Sequence, residues 1–295
     1  MTTEEATDPS PVIDAALVRI LVDTQFPQWA GLPLRLLDPA GSDHVIHRLG
    51  EELSVRLPRH AGAGNQAVKE SAWLPRLAPH LPLAVPIPVG VGRPDFGYPW
   101  PWAVSRWLDG EAATVEALAD STDTAVALAA FLAALQRIAP GEDARGDLTL
   151  RPPADRDRAT RTAIAEVDGL FDAGAMTELW EAALNAPEWD RPSVWCHGDF
   201  HTGNLLTTDG ELSAVIDFGE LGVGDPSCDL TIAFTLLSDR SRAVFRAELG
   251  VDDATWTRGR GWALATGLNA YTSYAAVDPR VAAQTTRQIT EALTG

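Results

Sequence analysis

HGDFHTGNLL, residues 197–206, sets two histidines, an aspartate and an asparagine into one short stretch that then turns apolar; soon afterwards the chain reads VIDFG, residues 215–219. Gly198 and Gly203 stand beside Asp199 and Asn204, so the backbone here is a shaped loop rather than a helix. Residues 205–207 read as a strand, Thr208, Asp209 and Gly210 as a hairpin turn, and residues 212–216 as a second strand. Folding the strands back on each other brings Asp217 close to the loop that holds Asp199 and Asn204. Three oxygen-bearing side chains then converge, and such a set suits a hard cation such as Mg²⁺. Phosphoryl transfer needs this arrangement. Asp217 and Asn204 would hold Mg²⁺ against nucleotide phosphates while Asp199 orients an attacking hydroxyl and accepts its proton. A polar turn in a structural hairpin is the plain alternative. A lone DFG would not exclude it; the full set in order, with a hairpin between, weighs against it.

The rest of the chain bounds this reading. Its 295 residues, 45% of them hydrophobic, can form two ordinary domains or one large two-lobed one around a real core. The longest apolar run, residues 125–135, is shorter than the roughly 20 residues a bilayer span needs. The start, MTTEEATDPSP, has no basic or apolar leader segment, so the expectation is a cytoplasmic protein without a membrane partner. Two cysteines, Cys196 and Cys228, imply no disulfide framework, and no CxxC or HExxH spacing suggests zinc. A formal net charge of −18 disfavours nucleic acid and anionic membranes and suits a cationic small molecule; acidity for solubility is the plain alternative. Lys69 is the only lysine and lies in AVKES, so no GxxxxGK[ST] phosphate loop exists.

Along the chain, residues 33–37, 45–49 and 53–57 read as strands of an antiparallel meander separated by DPAGSDH (38–44) and a Gly-containing break. Residues 65–77 read as a helix with Asn65 as N-cap and Pro75 ending or kinking it. The run LPLAVPIPVG (81–90) is too interrupted by proline for a central strand, and residues 103–108 read as a further strand. Beyond residue 114 the character is helical, over 115–138, 158–171, 176–184, 231–237, 243–249 and 256–276. A small β-rich lobe, a strand-like connector and a larger helical lobe follow from that order.

Protein kinases carry HRDxxxxN followed by DFG; this chain has His197, Asp199 and Asn204 in that spacing, then Asp217, Phe218 and Gly219. With the glycine after the histidine and the continuation VIDFGELGVGDPSCDL, it resembles the aminoglycoside phosphotransferase family of protein-kinase-like small-molecule kinases, over about residues 33–293. The resemblance implies an α+β, bilobal protein-kinase-like fold. Residues 1–104 would be a nucleotide-binding lobe of small antiparallel sheet and one helix, residues 105–108 a hinge, and residues 109–295 a mainly helical catalytic and substrate lobe. DPAGSDH, which contains Ser42, would be a lid over the phosphates, or merely a turn. Arg56 would contact the phosphates from its strand, where the family usually has lysine, and would pair with Glu70 on the helix; a solvated charge is the plain alternative for Glu70. Ser105 and Trp107 belong to the hinge whose backbone would hydrogen-bond the purine. The cofactors implied are Mg²⁺ and ATP, with GTP as an alternative donor.

His197 would brace the loop through hydrogen bonds, since Asp199 already fills the role of base. His201 either approaches phosphate or substrate or caps the turn. Cys196 reads as a buried strand residue. Asp225 and Asp229 would stabilise the catalytic loop and a helix start, with Asp229 or Ser227 as an N-cap. Trp256, Trp262, Tyr271 and Tyr274 line a pocket or, at helical spacing, form core. The acceptor implied is a small-molecule hydroxyl, first an aminoglycoside, a polycation that the acidic lobe suits. A macrolide, a nucleoside antibiotic, a sugar or an amino alcohol is the second choice, and a non-catalytic nucleotide-binding module the third. Oligomeric state stays open.

Overall fold

The structure, a computed structural model, describes residues 11–37, 43–144, 146 and 148–295. The chain divides into two compact units, Met1–Pro79 with Val85–Asp109, and His80–Ala84 with Gly110–Gly295.

In the first unit, Asp14 accepts the Leu17 N–H and starts helix α1 (Ala15–Gln25), which sequence reading did not find. Strands β1 (Leu34–Leu36), β2 (His44–Leu49) and β3 (Leu53–Pro58) form the expected meander. Helix α2 (Gln66–Leu77) and strands β4 (Pro88–Gly92) and β5 (Trp102–Arg106) follow. The sheet is antiparallel in the order β1-β2-β3-β5-β4. Its proline-containing strand β4 lies at the edge, where a missing N–H breaks no second ladder. Val18, Leu21 and Val22 of α1 meet Leu49, Val55, Leu57, Trp102 and Val104 in one buried cluster. Burying each such side chain contributes about 1.5–3 kcal/mol. Trp102 lies across Gly92, where an added Cβ would come within 1.9 Å of the indole. Helix α2 reaches Leu77 as expected, with Pro75 in its last turn, where the missing N–H and the ring affect little else; the Asn65 side chain makes no capping bond, which corrects that expectation.

In the second unit, the stretch 115–138 is not one helix. Strand β6 (Glu111–Ala112) is followed by a short α3 (Val115–Leu118) and by α4 (Thr122–Arg137). The break falls where Ser121 Oγ accepts the Thr124 N–H at 3.1 Å and begins a new helix, a role serine fills better than a helix interior. Helices α5 (Asp157–Glu166) and α6 (Ala173–Asn185) come next, then β7 (Val194–Cys196), β8 (Leu205–Thr208), β9 (Glu211–Val215) and β10 (Gly222–Gly224). Four helices end the chain: α7 (Ile232–Thr235), α8 (Asp239–Leu249), α9 (Asp253–Tyr274) and α10 (Pro279–Thr294). Helix α10 was missed, although Asp278 before Pro279 is a start signal. β8 pairs with β6 and β9, and β7 with β10. Ala84 adds to β9, its carbonyl accepting the Val215 N–H at 2.9 Å. No helix among the described residues is long and apolar enough to cross a membrane.

Candidate active site

The site is built on the β8–β9 hairpin. Its two-residue turn, Asp209 and Gly210, has positive φ at both positions (54° and 82°), the conformation that matches the right-handed twist of paired strands. Leu205 pairs with Val215, and one step further the Ile216 N–H donates to the Asn204 carbonyl at 2.9 Å. Asn204 therefore stands opposite the residue before Asp217. The loop turns back at Gly198, whose φ is +86°. A Cβ there would lie 2.1 Å from the Glu220 carbonyl oxygen, so only glycine lets the loop approach the turn after Asp217 so closely. Asp217 itself adopts a left-handed conformation, φ 61° and ψ 72°, which aims it out of the strand direction.

Within the loop, the Asn204 amide Nδ2 donates to the Asp199 carbonyl at 2.9 Å and to Asp199 Oδ2 at 3.3 Å. His201 Nε2 is 3.4 Å from the same carboxylate oxygen. His197 Nδ1 accepts the Asp199 N–H at 3.3 Å, which places its proton on Nε2, 3.0 Å from the Ile216 carbonyl. His197 thus ties the loop to the strand that carries Asp217. The Asp199 side chain is 49% exposed, and the loop's partial removal of water from it opposes ionisation, yet the hydrogen bond and charge of His201, with the Asn204 amide, outweigh this and hold the carboxyl at about 2. Burial would lower His201, but the bond to Asp199 and the charges of Asp199 and Asp217 win and raise it. In its neutral form, with the proton on Nε2, His201 also caps the short turn by accepting the Gly203 N–H at 3.1 Å, the second of the two roles sequence reading set against each other.

One further acid holds the loop, and a second stands beside it on the chain. Both oxygens of buried Asp229 accept loop amides, from His197 and Gly198, each at 2.8 Å. Burial pushes its carboxyl up, against these donors. Neither Asp229 nor Ser227 is the cap: Asp225 occupies that position, accepting the Ser227 N–H at 3.0 Å, because Asp229 points to the loop. Asp225 also binds Arg258 of α9, Nε to Oδ2 at 2.7 Å, and Arg258 reaches the Pro187 carbonyl and Thr255 Oγ1. Sequence reading missed Arg258, since nothing local marks it; only a buried guanidinium in a helix would have signalled an acidic partner. The Thr202 N–H, on the loop, donates to Thr235 Oγ1 at 3.2 Å.

In the first unit, Arg56 Nη1 donates to both carboxylate oxygens of Glu70, at 3.1 and 3.0 Å, and both residues are buried. Glu70 is therefore not a solvated charge. Ser105 is buried in β5 and its carbonyl lies 3.4 Å from Ser54 Oγ. The Trp107 N–H donates to the Glu52 carbonyl at 2.8 Å, and its ring lies under Arg48. Ser42 and most of DPAGSDH lie outside the described residues. Among the aromatic candidates, Trp256 is buried against Phe234, Trp262 lies beneath Arg156, Tyr271 packs edge-on to Phe171, and Tyr274 is exposed.

The donor chemistry fits a hard divalent ion. With its amide nitrogen committed to Asp199, Asn204 has its side-chain oxygen left to offer, and Asp217 adds a carboxylate one strand-step away.

Known proteins resemble this chain in sequence and in fold. Residues 36–262 match the model of the phosphotransferase enzyme family. A curated aminoglycoside 3'-phosphotransferase of Escherichia coli is 29% identical over 155 residues, 48% of this chain and 54% of the relative, so the chain spans about half the length of the curated relatives it matches. Two solved structures share the fold over nearly their whole length. The GDP and kanamycin complex of APH(2")-IIia has a TM-score of 0.75 at 18% identity, covering 94% of this chain and 98% of that one. A macrolide 2'-phosphotransferase of Brachybacterium faecium has 0.63 at 24%, covering 93% and 97%. A family match over most of the chain, which includes the hairpin that holds Asp199, Asn204 and Asp217, settles the lineage: the chain belongs to the phosphotransferase enzyme family.

Proposed function

We propose that the protein transfers the γ-phosphoryl group of a nucleoside triphosphate, ATP with GTP as the alternative, to a hydroxyl of a small molecule, first an aminoglycoside-type antibiotic, in the cytoplasm. The observation that carries this reading is the ladder bond joining Asn204 to Ile216, which sets Asp199, Asn204 and Asp217 on one end of one hairpin. Asp199 orients the acceptor hydroxyl. A carboxylate held at about 2 is a weak base in the ground state, so it takes the proton late, as the attacking oxygen binds phosphorus and becomes acidic. Asn204 and His201 fix that carboxylate, and His197 and Asp229 fix the loop. Mg²⁺, held by Asn204 and Asp217, would neutralise phosphate charge. Residues 1–104 would carry the nucleotide, with Arg56 as phosphate contact positioned by Glu70, the segment around Ser42 as lid, and 105–108, including Ser105 and Trp107, as hinge; residues 109–295 would carry acceptor and chemistry.

The test is a panel of acceptors, aminoglycosides beside macrolides, nucleoside antibiotics, sugars and amino alcohols, each assayed with ATP and GTP for a product heavier by one phosphoryl group. Asp199→Asn should lower turnover ~1,000-fold with nucleotide binding unchanged. Full turnover by that variant overturns the reading. Turnover confined to macrolides would favour the second acceptor class, which likeness to a macrolide 2'-phosphotransferase supports. Nucleotide binding without any product would favour the binding module.

A further inference from the structure

Behind the catalytic loop lies a second cluster of potential ligands that the chemistry above does not use. Cys196, the last residue of β7, and Cys228, in the turn before α7, are both buried and free. Their sulfurs and a carboxylate oxygen of Asp229 all lie within 4.8 Å of one another. Cys228 Sγ donates to Asp229 Oδ1 at 3.7 Å, and both thiols reach the Asp225 carbonyl at 3.6 Å. Two thiols and a carboxylate form a soft donor set, unlike the amide and carboxylate oxygens on the other side of the loop.

We propose that Cys196, Cys228 and Asp229 form a site for a thiophilic divalent cation of the Zn²⁺ or Cd²⁺ class, whose occupancy inhibits the enzyme from behind its catalytic loop. Binding exchanges two S–H protons, released to solvent, for two metal–sulfur bonds, and the Asp229 lone pair that accepted the Cys228 proton turns to the cation. Tetrahedral zinc with sulfur and oxygen ligands sets its donors about 3.5–3.8 Å apart, so three groups within 4.8 Å need only a small contraction. That contraction acts on Asp229, whose oxygens hold the amides of His197 and Gly198, and on Cys196, which is bonded to His197. Drawing Asp229 toward the sulfurs loosens the loop that carries Asp199. The hydrogen bond with Cys196, and after it burial, keeps the Cys228 thiol well above its usual range, so the cation displaces a proton there rather than joining a ready thiolate.

The inhibition rests on the proposed phosphoryl transfer; the binding does not, and the two are read separately. Full-length protein, kept reduced with a phosphine, is titrated with Cd²⁺ in excess Mg²⁺ while the cadmium–thiolate absorbance and proton release are followed; nucleotide turnover is measured on the same samples. The expected result is one equivalent of Cd²⁺ bound with two protons released, and a parallel loss of turnover. Cys196→Ser/Cys228→Ser should bind at least ~100-fold more weakly and keep its turnover in Cd²⁺. If that variant folds poorly, Cys228→Ala alone should lose the thiolate band. No thiolate absorbance in the wild-type protein, or an unchanged band in the variants, overturns the site; binding without loss of turnover overturns the inhibition.

Discussion

Asp199 and His201 are the pair on which pH should act. The Asp199 carboxyl, at about 2 against an ordinary 3.8, adds stability that is present above pH ~4 and lost as pH falls toward 2. His201, raised above 6.5, adds stability that is present below about pH 6.5 and lost as pH climbs through its folded value. Both are ionised only between those limits. His201→Gln should therefore lower the urea midpoint most near pH ~5, with the difference from wild type shrinking at pH ~3 and again at alkaline pH. Equal differences at all three would mean that the imidazole acts by packing alone. Gly198 offers a sharper test at one residue. Gly198→Ala combines a left-handed φ with a clash against the Glu220 carbonyl, and should cost ~2–3 kcal/mol in urea unfolding together with most of the turnover.

Between elements, the Arg56–Glu70 pair joins β3 to α2 in a buried setting. Removing one partner takes from the other, buried charge the ion pair it makes across the two elements. Arg56→Met should thus destabilise by ~3–5 kcal/mol, and Arg56→Lys by clearly less, with thermal melting as the measurement. Sequence reading reached this pair through the family resemblance, and reached the β8–β9 hairpin from the residues themselves, because its partners are close in sequence. It failed where the decisive contact is distant. Arg258 finds Asp225 from 33 residues away, and nothing in either local pattern announces the other. The split at Ser121 was hidden for the opposite reason: an alanine- and leucine-rich run reads as continuous helix, while one hydroxyl capping Thr124 outweighs it. Two-lobed order, strand meander and loop motif were legible; helices α1 and α10 were passed over although each opens on a capping aspartate.

At the scale of the molecule, a net charge of −18 sets the field an incoming acceptor meets. A polycationic acceptor should associate faster at low ionic strength, so its kcat/KM should fall several-fold from ~50 to ~500 mM salt, as the screening length shrinks below about 10 Å. A neutral acceptor should show no such slope. Measuring both at matched Mg²⁺ separates steering from metal binding.

The two-residue tip of the hairpin has a further consequence, for how the chain tolerates change in length. The ribbon already carries one unmatched residue in β9, where the register shifts between Leu206 and Thr207; beyond that shift an extra residue added to each arm lengthens the ribbon at its far end and leaves Asn204 facing Ile216. A second extra residue in one arm, beyond the one the bulge already holds, would slide that arm past its neighbour and turn Asp217 to the opposite side. Insertions near Asp209 and Gly210 should therefore be accepted in balanced pairs and rejected singly.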